Sequence, residues 1–218
     1  MSTVDAALTR SHRYPAGVLN PAVLLVLALW LALIVYLGAL DSFHAEPGTP
    51  PVATLAAMAG PPILFLMALR SLHVRRWALS IDPVWLAAIQ GLRILGAGFL
   101  VAWAFGHLPW LFAMAAGWGD VLVALLAPFA AVALARNAAF LVSRSHFWFH
   151  VLGMLDFVGA VLTGLISRGT IPLLATSEST SALGQFPLLL IPCFAVPVWI
   201  CLHIIAFVQI AERRKSVA

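Results

Sequence analysis

Three charged residues stand where charge is costly. Arg93, Asp120 and Asp156 each fall inside a long apolar run, whereas every other Lys, Arg, Asp and Glu sits in a polar connection or at the end of a run. An isolated charge at the middle of a bilayer costs about 2.5–3.5 kcal/mol on an insertion scale, so such groups are expected to face one another. One arginine can hold one carboxylate through a bidentate fork. The second carboxyl is then left over, and the cluster is net negative if both acids are ionised. A surplus carboxyl in a low-dielectric layer is a group that can exchange a proton. Gln90, one turn before Arg93, is placed to donate to a carboxylate or to line a polar cavity. The plainer alternative is an Arg–Asp staple that fixes helix register and does nothing else.

The histidines offer a second chemistry. His146 and His150 are one turn apart, and His203 in the last apolar run lies at a similar depth. A facing pair, His150 with His203, would suit haem b or a metal, but no carboxylate stands beside it and no attachment motif for c-type haem is present. No cofactor is therefore expected, and a haem-binding redox protein is the third reading. His73 and His107 fall in connections and are expected to be exposed. Cys193 and Cys201 share one apolar run without a CxxC pattern and read as buried thiols. No nucleophile elbow, P-loop, HExxH or dinucleotide fingerprint occurs, so no catalytic residue is named and the reading leans away from an enzyme.

These side chains must be positioned by membrane helices. Of 218 residues, 63% are hydrophobic and only 9% charged, against about 25% charged in soluble domains. Six apolar runs are legible, roughly 18–40, 52–71, 84–106, 109–135, 147–167 and 186–211. Each reaches the ~20 residues that a hydrocarbon layer about 30 Å thick requires. Backbone groups in that layer must pair within the segment, so an all-α bundle of six transmembrane helices is predicted. Barrel strands would be shorter and would alternate apolar with polar residues. The first run is too long for a signal-peptide core and reads as an uncleaved anchor.

Loop charge sets the orientation. Arg10, Arg13, Arg70, Arg75, Arg76, Arg136, Arg144, Arg213, Arg214 and Lys215 lie on one side, which is ten of the twelve Lys and Arg residues. The other side holds Arg168 with Asp41, Glu46 and Glu178. The positive-inside rule then places both termini, residues 1–17 and 212–218, in the cytoplasm. The same clustering explains the basic balance without nucleic acid, and the expected surroundings are a lipid bilayer. The polar connection around Thr176–Ser181 reads as a solvated linker.

Depth and helical faces bring the charges together. Counted at 1.5 Å per residue, Arg93 lies roughly 15 Å into the third run, and Asp120 and Asp156 lie at comparable depth in the fourth and fifth. Asp120 shares a stripe with Ala113, Ala116, Gly117, Ala124, Ala127 and Ala131. Asp156 shares one with Gly153, Ala160 and Gly164, and small residues let membrane helices approach closely. Gly60-Pro61-Pro62 in the second run and Pro197 in the sixth are expected to break their helices near the same depth. Carbonyls freed there suit a central cavity of the kind transporters use.

Gln90-Gly91-Leu92-Arg93, Gly106-His107-Leu108-Pro109 and Gly117-Trp118-Gly119-Asp120 resemble a family of small six-span bacterial inner-membrane proteins. Leu155-Asp156-Phe157 and the Pro192, Pro197 and His203 series fit the same pattern. The likeness covers about residues 85–211. It implies a bacterial inner-membrane location and brings no activity, cofactor or substrate with it. The expectation is a small proton-linked transporter or permease-like protein acting on a proton or a small molecule. Because six helices enclose little volume, a homo-oligomer is an accompanying expectation.

Overall fold

A computed structural model describes residues 20–171, 173 and 179–217. Arg10, Arg13 and residues 176–178 of the polar connection lie outside the described residues. The elements begin with α1 (Pro21–Ala39), α2 (Val52–Ala68) and α3 (Leu72–Ser80). Next come α4 (Pro83–Ala88), a 3-10 segment (Ile89–Gly96) and α5 (Ala97–Ala104). The two longest helices, α6 (Trp110–Arg136) and α7 (Arg144–Ser167), flank a 3-10 turn at Ala138–Val142. A further 3-10 turn (Thr180–Gly184) and a π turn (Ile191–Ala195) lead into α8 (Val196–Val217). The described residues form no strand.

Five helical stretches are long and apolar enough to cross a membrane: Pro21–Ala39, Pro83–Ala104, Trp110–Arg136, Arg144–Ser167 and Ile191–Lys215. The pair α2 and α3 makes a sixth if its 106° bend is counted within one span. The outer surface matches: Leu25, Leu29, Leu64, Leu125, Phe129 and Trp148 are all exposed. In water such a surface would drive association, so an apolar solvent is the consistent surrounding.

Helix α6 is the centre of the bundle. Ala113, Ala116, Gly117, Asp120, Ala124, Ala127 and Ala131 are all buried, the same stripe that the sequence predicts. These small side chains admit the α4–α5 segment on one flank and α7 on the other. Short polar devices fix the ends. Asn20 and Asp82 cap α1 and α4 by accepting from Ala22 N–H (2.9 Å) and Val84 N–H (2.8 Å). Buried Gln209 on α8 donates through Nε2 to the carbonyls of Ala78 and Ile81 (2.9 and 2.8 Å). That satisfies acceptors a helix terminus leaves open.

The helix breaks differ from expectation. The chain passes Gly60, Pro61 and Pro62 inside α2 without leaving helical geometry. The fixed proline φ is itself helical, and two lost N–H donors do not outweigh the flanking bonds where no water competes. The interruption falls instead at residues 69–71, where the chain turns and the basic helix α3 begins. Arg75 on α3 pairs with Glu212 at the end of α8. The predicted second run therefore stops at Ala68, three residues early. The third run is interrupted too, since Ile89–Gly96 is 3-10 rather than α.

Pro197 does not end its helix either. It lies inside the helical stretch Ile191–Lys215, directly after the π turn, and lacks the N–H that would bond a carbonyl one turn upstream. The irregular backbone lies just upstream, in the π turn, and the sixth run becomes helical at Ile191 rather than at 186. A residue with an N–H at 197 would bond the Cys193 carbonyl. Proline leaves that acceptor open, and the indole Nε1–H of Trp30 donates to it across the bundle at 3.1 Å. Trp30→Phe should thus cost about 1–3 kcal/mol by leaving a part-buried acceptor unpaired. In a Pro197→Ala background the restored backbone N–H should reduce that cost. Thermal unfolding of the two single variants and the double variant measures the difference.

Candidate functional site

Arg93 is fully buried, and all three of its guanidinium nitrogens are used. Nε–H donates to Asp120 Oδ1 at 2.7 Å, and Nη2–H donates to Asp156 Oδ2. Nη1 donates to the Gly153 carbonyl at 3.2 Å and lies 3.3 Å from His203 Nε2. The guanidinium also stacks on Phe157, with Cζ 4.1 Å from the ring centroid. One arginine therefore holds both carboxylates at once, where the sequence predicts a pair with one of them. The planar fork projects donors in several directions, so two acids on different helices can share it.

Three glycines make the room. A Cβ at Gly96 would overlap the Asp120 carboxyl, and one at Gly119 would overlap the Asp156 carboxyl. A Cβ at Gly153 would meet the His203 ring at 2.5 Å and Arg93 Nη1 at 3.0 Å. The small-residue stripes thus do more than permit close packing. They open the space the charges fill.

Gln90 is fully buried on the same 3-10 segment, yet neither of its side-chain polar atoms has a partner among the described residues. The bond to a carboxylate expected from its position is not made. The 3-10 winding brings Gln90, Arg93 and Gly96, spaced three apart, to one buried face.

The carboxylates border a cavity of about 100 Å³. It extends from Phe43, Arg168 and Thr180 at one end of the bundle to Asp120 and Asp156, with Thr54 and Met58 of α2 facing Ala160 of α7. The Asp120 and Asp156 side chains keep 12% and 6% exposure, whereas the Arg93 side chain has none and lies behind them. At the upper end Arg168 donates to the carbonyls of Thr49 (3.1 Å) and Ala45, and Gly48 N–H returns a bond to the Arg168 carbonyl (2.9 Å). Arg168 thereby ties the connection before α2 to the end of α7. Burial draws its pKa down from the ordinary guanidinium value, and neighbouring Glu46 opposes that shift.

His150 and His203 do meet, through Nδ1 atoms 2.8 Å apart. Two nitrogens on one metal at ~2.0–2.1 Å each, placed on opposite sides, would be about 4 Å apart. The pair as it stands is a hydrogen bond. His146 joins it, with its Nε2 3.1 Å from His150 Nε2 and its Nδ1 3.0 Å from the Leu141 carbonyl. The sequence suggests a chemistry for the histidines separate from that of the charges, but His203 touches Arg93. A signal was present: His146, His150, Gly153 and Phe157 recur at helical spacing on one face of α7. His73 and His107 are exposed, as expected.

Residues 50–211, which contain every member of this cluster, match a domain of unknown function, DUF8737. No curated protein and no solved structure matches the chain at a significant level.

Proposed function

We propose that this chain, which belongs to the DUF8737 family, is a small proton-linked transport protein of a bacterial inner membrane, with both termini in the cytoplasm. The observation that carries the reading is the unequal charge at a cavity wall: two carboxylates face the cavity and one buried guanidinium serves both. With both acids ionised the site carries an uncompensated negative charge, which a low-dielectric layer disfavours. A proton reaching Asp120 or Asp156 through the cavity neutralises the site. It also converts one charge-assisted bond of Arg93 into a weaker one. The freed N–H is then available to an anionic or carbonyl-bearing solute, and α6 and α7 are less tightly joined. The basic connections on the side opposite Arg168 support the cytoplasmic placement of that side.

Infrared difference spectroscopy tests the protonation step. Protein in lipid nanodiscs should show a protonated-carboxyl band that grows as pH falls while still above the range, about 4, in which the chain's other acidic side chains protonate. Asp156→Asn and Asp120→Asn should each alter the band, and the double variant should abolish it. A band that does not titrate, or that survives the double variant, would sink the proposal.

One observation favours a second reading. Arg93 reaches side chains or backbone on α6, α7 and α8 together, which is the arrangement of an assembly clasp. In that case the cluster holds an accessory protein together and no proton is exchanged. A titration with no carboxyl band, together with full dependence of stability on Arg93, is the result that selects it.

A further inference from the structure

The histidine contacts have a direction that hydrogen-bond chemistry fixes from both ends. A guanidinium has donors only, so Arg93 Nη1 must donate to His203 Nε2. A neutral His203 then carries its proton on Nδ1 and donates to His150 Nδ1. His150 in turn carries its proton on Nε2 and donates to His146 Nε2. That leaves the His146 proton on Nδ1, where it meets the Leu141 carbonyl, an acceptor only. The assignment read from the arginine and the one read from the carbonyl agree. Three neutral rings with alternating tautomers form one unbranched chain, and all three are at most 1% exposed.

We propose that His203, His150 and His146 form a proton relay joining the Arg93 site to the connection between α6 and α7. This rests on the proton-exchanging reading of Asp120 and Asp156. With both carboxylates on Arg93, its Nη1 occupies the lone pair of His203 Nε2 and the relay is shut. A proton on one carboxyl weakens the hold on the guanidinium, and a shift of Arg93 uncovers Nε2. The steps then balance without any further reagent. The carboxyl O–H breaks and a His203 Nε2–H forms, while the His203 Nδ1 proton moves to His150 Nδ1. The His150 Nε2 proton moves to His146 Nε2, and the His146 Nδ1 proton leaves to water at the α6–α7 connection when its bond to the Leu141 carbonyl opens. Each ring ends in the opposite tautomer and resets by rotation or by a proton travelling back.

The charged groups at the two ends are consistent with this use. Arg93, with Asp120 and Asp156 beyond it, stands at one end. At the other, Arg214 donates to the Val142 carbonyl at 3.3 Å and lies over Phe147. Between them the rings pack against Phe149, Phe157 and Phe207, with ring centroids 5.0–6.0 Å away. Aromatic walls keep competing donors and acceptors away from the chain.

Two measurements decide the matter. Nitrogen-15 NMR of labelled wild-type protein in nanodiscs should find His203 and His146 protonated on Nδ1 and His150 on Nε2. Any one of the three in the other tautomer overturns the relay. In liposomes holding a pH-sensitive dye and driven by a potassium diffusion potential, His150→Gln should lower proton flux about a hundredfold, the scale on which a positioned proton-transfer group acts. His146→Gln should do the same. Neither residue touches the carboxylates, so the carboxyl infrared band should persist in both variants and report that the site is still folded. Flux in these variants equal to that of wild type, zero included, overturns the relay while a titrating band leaves the carboxylate reading standing. If the band itself fails to titrate, the carboxylate reading falls and the relay falls with it.

Discussion

Arg93→Ala should leave little folded protein. Removing one partner of a buried ion pair costs about 3–5 kcal/mol, because the remaining charge stays buried without compensation. Here a single truncation strands two carboxylates, so the loss should reach the upper end of that range. The measurement is thermal unfolding in mild detergent, beside the monodisperse fraction on size exclusion. Arg93→Lys should fare nearly as badly, since an ammonium cannot reproduce a planar fork that spans two carboxylates and a carbonyl. Adding Asp120→Asn and Asp156→Asn to Arg93→Ala should recover much of the yield, because the stranded charges disappear with their partner. Failure of that rescue would mean that Arg93 matters through its stacking on Phe157 and its bond to Gly153. An Arg93→Ala protein that unfolds close to wild type would refute the clasp altogether.

Gly119→Ala is expected to be the most damaging single methyl group in the chain. Its Cβ would occupy the position of the Asp156 carboxyl, and overpacking of this kind costs about 1–3 kcal/mol. The displaced carboxylate would also lose Arg93, so the infrared carboxyl band should shift with the fall in stability. Gly96→Ala should act the same way through Asp120. Gly91→Ala and Gly98→Ala are the controls. Nothing lies within 4 Å of a Cβ built at either position, and a helical glycine is less stable than alanine by roughly 0.5–1 kcal/mol. Those two variants should be neutral or slightly stabilised. Equal effects at Gly119 and Gly98 would show that helix propensity, not room for the carboxylate, decides the outcome.

The sequence exposes some parts of this architecture and conceals others for identifiable reasons. Arg93, Asp120 and Asp156 stand out because the cost of a buried charge is large and does not depend on details of packing. The alanine stripe of α6 is equally legible, since an unbroken helix preserves its period. Where the backbone leaves α geometry, the counting fails. Eight residues of 3-10 helix span about 16 Å, against about 12 Å as α-helix. Depths reckoned along Ile89–Gly96 are therefore displaced, and Gln90 shares the buried face of Arg93 without bonding a carboxylate. The prolines mislead in the opposite sense, because proline's fixed φ suits a helix, and its missing N–H and its ring's clash with the carbonyl one turn upstream disturb a helix without having to end it. At Pro197 the disturbance is answered by Trp30, a residue 167 positions away that no local pattern connects to it.

The cluster is also asymmetric with respect to the bundle's two ends. On one side of Arg93 a cavity leads to the carboxylates; on the other, packed rings and phenylalanines exclude solvent as far as the α6–α7 connection. A membrane voltage falls most steeply across the part of a protein that water does not enter. Much of the electric field would then be concentrated between Arg93 and Leu141 rather than spread over the full thickness of the bilayer. A charge carried through the whole field is worth about 2.3 kcal/mol per 100 mV. Protons loading the carboxylates from the cavity would feel little of it, whereas motion of the guanidinium or of a proton along the histidines would feel most. A proton-exchanging site would then divide, in electrical terms, into a chemical step on the cavity side and a voltage-sensitive one on the packed side.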